Sequence, residues 1–111
     1  LQARVVAAKY HALRLLTCNL RNEAPGVGGL IVKLMGCQLA HDIAALAIDV
    51  MGELGVLYHH SKYERAAGMW QFQNMSSIGL IIGGGTAQIQ RNINAGRGLG
   101  LPREPRVVEE R

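Results

Sequence analysis

At 111 residues the chain amounts to one domain, long enough to bury about 65% of the surface that its unfolded form exposes. Hydrophobic residues make up 49% of it but aromatic ones only 5%, so the core must come from Leu, Ile, Val, Ala and Met; helical bundles use these, whereas sheets favour β-branched and aromatic residues. The net charge of +4 is modest, and the excess sits at the C-terminus, where Arg91, Arg97, Arg103, Arg106 and Arg111 outnumber Glu104, Glu109 and Glu110 without interleaved aromatics; this reads as a solvated tail and argues against nucleic-acid binding.

The chain opens on Leu1 with no basic, apolar and small-residue leader, which reads as a piece of a longer polypeptide and not as a secreted precursor. Its apolar runs fall short of a membrane span. Cys18 and Cys37 lack a Cys-x-x-Cys spacing, so two buried thiols in a reducing cytoplasm are expected.

Gln2 to Arg21 reads as the first helix, with Val5, Ala8, Ala12 and Leu15 as its stripe and Val6, Leu13, Leu16 and Leu20 widening it. Pro25, Gly26, Gly28 and Gly29 then punctuate the segment from Asn22 to Gly29. Leu30 to Met51 is the strongest helical pattern. Leu30, Leu34, Cys37, His41, Ala44, Ile48 and Met51 form one seam, while Val32, Leu39, Ile43, Leu46 and Val50 cover a second face. With only Gln38, Asp42, Asp49 and Glu53 as a polar stripe, this helix should be buried on most sides, at the middle of a bundle. Gly52 and Gly55 end it, and residues 55–62 form a connector. Tyr63 to Asn74 is the next helix, with Ala66, Ala67, Trp70 and Met69 facing inward. Ser76 and Ser77 loosen it, and Ile78 to Ile82 fits either helix or extended chain. The last helix runs from Thr86 to Arg97 on the anchors Ile89 and Ile93; Gly96, Gly98 and Gly100 stop it, and Pro102 and Pro105 keep the tail irregular.

Candidate chemistry is sparse. No Glu-x-x-His pair exists for a di-iron bundle, the side chains of adjacent His59 and His60 diverge on an exposed loop, and His41 suits a hydrogen-bonded core histidine, so no metal site is expected. No spacing supports cysteine–histidine catalysis. Asp49 and Glu53 lie one helical turn apart and could share acid–base work, although such pairs are common on helix surfaces. The most informative stretch is Gly83-Gly84-Gly85-Thr86. Three glycines order at high entropic cost, and Thr86 offers a hydroxyl at a helix start, so a flexible turn presents amides and a threonine towards something polar or anionic.

The string from Ile82 to Ile93, with Leu99-Gly100-Leu101-Pro102-Arg103 after it, resembles the C-terminal signature of the acyl-CoA dehydrogenase family. There a loop ending in Gly-Thr opens a helix reading roughly Gln-Ile-Gln-Arg-Asn-Ile, followed by Leu-Gly-Leu-Pro-Arg. Trp70-Gln71-Phe72 and Ile78 to Ile82 are similar to the segment leading into that loop. The resemblance implies an all-α, up-and-down helical bundle over residues 1–103, with an irregular charged tail at 104–111. It implies an oxidoreductase of fatty acid metabolism that uses FAD to convert an acyl-CoA thioester to the 2,3-enoyl-CoA. An electron-transfer flavoprotein-type acceptor and a homo- or hetero-oligomer would accompany it. By carry-over, Thr86 and Gln88 would contact flavin, Gly84 and Gly85 would lie beside the acyl thioester, and Asp49, Gly52 and Glu53 would face the flavin of another subunit.

Two departures qualify this. Where the family's helix end usually reads Gln-x-x-Gly-Gly-x-Gly, this chain has Asp49, Gly52, Glu53 and Gly55, placing two carboxylates where a pyrophosphate would approach. Where many members carry a catalytic glutamate before Gly-Thr, it has Gly84, which cannot accept a proton, and losing a general base costs about 10²–10⁴ in rate. No residue of this chain is therefore assigned as catalytic. A non-catalytic partner subunit of a heteromeric acyl-CoA dehydrogenase is the alternative reading, and a plain helical interaction module is a second rival.

Overall fold

The computed structural model describes residues 1–58 and 60–102. His59, Arg103 and the expected tail at 104–111 lie outside the described residues. Four α-helices follow in order: α1 (Gln2–Leu20), α2 (Gly26–Met51), α3 (Met69–Ile82) and α4 (Ala87–Ile93). A 3₁₀ turn, Gly52–Val56, continues α2; another, Ala66–Gly68, precedes α3; and a π-helical turn, Asn94–Gly98, extends α4. No strand occurs among the described residues. The all-α fold is as expected.

Helix α2 is the spine. α3 packs along it as the main pair, and α1, α4, the first 3₁₀ turn and the π turn also pack against it. Its predicted seam is real, since Leu30, Leu34, Cys37, His41, Ala44, Ile48 and Met51 are all buried or half-buried. The expected burial on most sides is not. Only Leu39 and Ala44 are buried apolar residues, while Val32, Met35, Leu46 and Val50 are exposed. The reason is the side from which α3 arrives: it packs on the seam, where Ser77 meets His41, and Val32, Met35, Leu46 and Val50 lie on the opposite face of the same helix. Gly26–Val56 is also long and apolar enough to cross a membrane, an 18-residue window of it having a mean hydropathy of 1.5, which corrects the expectation of no such run. Its packing partners and its polar positions Lys33, Gln38, Asp42 and Asp49 suit a bundle's central helix.

Several boundaries moved for identifiable reasons. α2 starts at Gly26, with Pro25 at the N-cap position, where a missing N–H is no loss, and early glycines that admit neighbours. A Cβ on Gly28 would stand 3.2 Å from His11 Cε1, and His11 Nε2–H donates to the Gly28 carbonyl at 2.9 Å. Helix α1 uses Ala8, His11, Leu15 and Cys18 as its half-buried stripe, so Val5 and Ala12 drop out and Val6, Leu13, Leu16 and Leu20 stay exposed. Arg4 pairs with Asp42 across α1 and α2, and Gln38 donates to the same carboxylate at 2.9 Å. Gln38 and then Arg4 hold the Asp42 carboxyl below its ordinary range. A lowered carboxyl stabilises the fold above its unfolded value, and that contribution disappears as pH falls through the lowered one. The pair is largely exposed and its worth is small.

Helix α3 begins six residues later than the pattern suggested. Ala66, Ala67 and Gly68 all have positive φ, and the Tyr58 ring lies 3.1 Å from where a Gly68 Cβ would be, so the chain reverses there. Ala66, Ala67 and Met69 are exposed, not inward-facing. Ser76 and Ser77 do not loosen the helix. Ser77, 2% exposed, donates to the Asn74 carbonyl at 2.6 Å. Its one proton being used, Ser77 Oγ accepts from His41 Nδ1 at 2.8 Å. His41 is the hydrogen-bonded core histidine expected of it. Nearby, Gln71 donates to the carbonyl of Leu57 at 2.7 Å and so pins the connector to α3.

Candidate functional site: the glycine loop between α3 and α4

Residues 83–86 join α3 to α4 at the end of the molecule where α2 begins. Gly84 and Gly85 adopt φ of +70° and +104°, conformations that L side chains rarely take, so this turn needs glycine. At Gly85 space is also short, because a Cβ would lie 3.1 Å from Gln90 Nε2 and 3.3 Å from Ile89 Cγ2. Gly84 is different. Among the described residues beyond its chain neighbours, a Cβ there would meet only Lys33 Cε within 4 Å, at 3.9 Å, and the residue is exposed.

Thr86 caps α4 as expected, accepting weakly from the Ile89 amide at 3.4 Å; its hydroxyl proton remains available for another acceptor. Gln88 is exposed one residue into the helix, and Ile89, an expected anchor, is half-exposed over Gly85. The helix gives way to the π turn at Asn94, so Gly96 does not stop it; Gly98 fits because a Cβ there would meet Val27 at 3.0 Å.

The loop's carbonyls are nearly all tied down. Gly79 accepts from the Gly83 amide at 2.7 Å and Ile82 from the Gly85 amide at 3.2 Å. Gln90 Nε2 donates to Gly84 at 2.7 Å, and Lys33 Nζ donates to both Ile81, at 2.9 Å, and Gly85. Among the described residues, the amides of Gly84, Thr86, Ala87 and Gln88 meet no protein acceptor. A turn with most of its carbonyls satisfied and the amides of Gly84, Thr86, Ala87 and Gln88 unspent suits an acceptor-rich ligand. Sequence reasoning missed Lys33 and Gln90. Lys33 sits as the single Lys or Arg in an apolar helix and was a visible anomaly; Gln90, six residues from Gly84, carried no signal of its own.

Asp49, Gly52 and Glu53 are exposed at the other end of α2. Sixteen residues separate Lys33 from Asp49, about 24 Å along the helix axis. The fold therefore does not bring this acidic group to the loop. Beside the loop lies a shallow open cleft lined by Lys33, Leu34, Cys37, Gln38, Ile81 and Ala87. Cys18 and Cys37 are free, half-buried thiols. No group of three His, Cys, Asp or Glu side chains able to hold a metal occurs among the described residues.

A family model described as "Acyl-CoA dehydrogenase, C-terminal domain" matches residues 1–99. The chain belongs to the acyl-CoA dehydrogenase family. Among curated relatives, "Acyl-CoA dehydrogenase IpdE1" of Mycolicibacterium smegmatis is 35% identical over 82 residues, covering 74% of this chain and 20% of the relative. "Acyl-CoA dehydrogenase FadE26" of Mycobacterium tuberculosis is 28% identical over 109 residues, covering 91% and 27%. Among solved structures, the ChsE4–ChsE5 complex from Mycobacterium tuberculosis superposes with a TM-score of 0.80 at 26% identity, over 93% of this chain and 26% of that one. The Tcur3481–Tcur3483 steroid ACAD gives 0.83 at 22% identity, over 93% and 27%, and shows the shared fold. The chain thus spans between a fifth and just over a quarter of the length of these acyl-CoA dehydrogenases.

Proposed function

We propose that this chain is the C-terminal helical part of a cytoplasmic, FAD-dependent acyl-CoA dehydrogenase, contributing one wall of the flavin and thioester site and a subunit interface. The observation that carries this is the glycine loop, most of whose carbonyls are bound within the protein while Gly84 stays open and the Thr86 hydroxyl proton is unspent. That arrangement fits a flavin beside Thr86 and Gln88, with an acyl thioester beside Gly84 and Gly85. A bound flavin would supply the acceptor for the substrate's β-hydride, and an electron-transfer flavoprotein-type partner would reoxidise it. This chain's part is to bind and orient. Gly84 has no group to accept the α-proton, so that proton passes to a carboxylate outside these residues.

A second reading is supported by two observations. Gly84 lacks a base, and the exposed carboxylates Asp49 and Glu53 repel the pyrophosphate that the family resemblance would bring to them. Together they favour a partner subunit without its own catalysis in a heteromeric enzyme; the related ChsE4–ChsE5 structure is a complex of two proteins. Purifying the full-length protein with whatever subunit accompanies it tests both. The visible band of oxidised flavin together with exchange of the thioester α-proton is expected. An assembly that binds neither flavin nor acyl-CoA would overturn the proposal.

Two further outcomes follow from the geometry. Residues 1–111 alone should show no saturable flavin binding by fluorescence titration, because a dinucleotide pocket needs walls from several elements and the two candidate regions lie at opposite ends of α2. In the full-length protein, Asp49→Asn with Glu53→Gln should raise the flavin retained after dialysis several-fold, with the pH profile of α-proton exchange unchanged. Abolished exchange with flavin content intact would instead put the base inside this segment.

A further inference from the structure

We propose that Lys33 is the positioning residue of the glycine loop, an ammonium that holds the turn in its ligand-ready form; the ligand in question rests on the function proposed above. Lys33 is the single Lys or Arg of α2 and is half-buried where the helix meets the loop. A half-buried ammonium in an apolar helix is costly unless its protons are used. Two of them are: Nζ donates to the carbonyls of Ile81 and Gly85, and no carboxylate pairs with it among the described residues.

The choice of those two carbonyls matters. Ile81 lies in the last turn of α3, where carbonyls lack helical partners and the helix dipole favours a cation. Gly85 lies four residues on, beyond Gly83 and Gly84. A single donor held at both carbonyls therefore spans Gly83 and Gly84, two conformationally free residues of the loop, and ties its ends together. Without it, Gly84 and Gly85 could leave their positive-φ conformations at little cost, and a ligand would have to pay to order the turn on binding. Gln90 holds only the Gly84 carbonyl between them. Because a residue-84 side chain would start 3.9 Å from Lys33 Cε, the same charge also sits next to whatever occupies that open position.

The experiment uses the full-length protein with its co-purifying subunit and compares Lys33→Met, which keeps the stem and removes the donors, with Lys33→Arg, whose fork can still reach two carbonyls. Amide exchange at Gly83 and Gly85 reports the loop directly, and acyl-CoA affinity reports its readiness. Lys33→Met should speed exchange at both amides and weaken acyl-CoA binding, each about tenfold, since bonds from a charged donor are among the stronger ones. Lys33→Arg should restore most of both. If Lys33→Met matches wild type in exchange, Lys33 merely packs; if it changes exchange without changing acyl-CoA affinity, Lys33 holds the turn but not a ligand-ready form of it, and either result overturns the proposal. If wild type binds neither flavin nor acyl-CoA, the functional reading fails, and the exchange measurement still decides whether Lys33 holds the loop.

Discussion

Purified alone, residues 1–111 are expected to self-associate or aggregate at micromolar concentration. A compact protein of this mass, 12.0 kDa, exposes roughly 6,000 Å² by the usual size scaling, and this chain exposes 8791 Å². Large apolar side chains contribute to that surface on three helices. On α1 the residues Val6, Leu13, Leu16 and Leu20 are exposed; on α3, Phe72, Met75, Ile78, Leu80 and Ile82 are; on α2, Val32, Met35, Leu46 and Val50 are. Monomers rarely leave contiguous apolar patches beyond a few hundred Å² uncovered. In the relatives, of whose length this chain spans a fifth to just over a quarter, the rest of the polypeptide is available to cover them. Light scattering with an exposed-hydrophobe dye is the check. A clean monomer at high concentration with no dye signal would contradict the expectation.

Gly55→Ala should destabilise the helical domain by about 2–3 kcal/mol, towards the upper end of what overpacking costs. Gly55 is buried in the 3₁₀ turn that folds back on the end of α2, and its Cβ would lie 2.7 Å from the Ile48 carbonyl oxygen and 3.0 Å from Ile48 Cγ2. The first of these is backbone, so relief requires moving the turn and not a flexible side chain. Gln71 would feel that movement, since it bonds the Leu57 carbonyl just beyond. Gly36→Ala is the internal control. Nothing lies within 4 Å of its would-be Cβ, so alanine should gain about 0.5–1 kcal/mol by helix propensity. Thermal denaturation of the full-length protein should therefore separate the two variants by several degrees in opposite directions. An unchanged midpoint for Gly55→Ala would mean that the turn is far softer than its packing implies.

Much of this was legible from sequence, because it depends on composition and period. A low-aromatic core requires helices, and the seven seam positions from Leu30 to Met51 are set by the helical repeat wherever a partner is found. The loop was legible because Gly84 and Gly85 occupy conformations that other residues avoid, and the family because its signature is a local string. Helix ends were less so. The starts at Gly26 and Met69 depend on His11 and Tyr58 filling space beside Gly28 and Gly68, contacts 17 and 10 residues distant in sequence that no local propensity contains. The stripe of α1 shifted to Ala8, His11, Leu15 and Cys18 because a helix broadly apolar on several faces has no preferred side until a neighbour selects one. What the sequence by itself determined is therefore the helical class, the central helix and the identity of the loop. Only the tertiary structure decided that Lys33 and Gln90 clasp that loop, and that Asp49 and Glu53 stand at the far end of α2, about 24 Å from Lys33. The physical reason is that periodicity specifies which residues share a face of one helix, whereas a carbonyl's bonding partner depends on which helix arrives beside it.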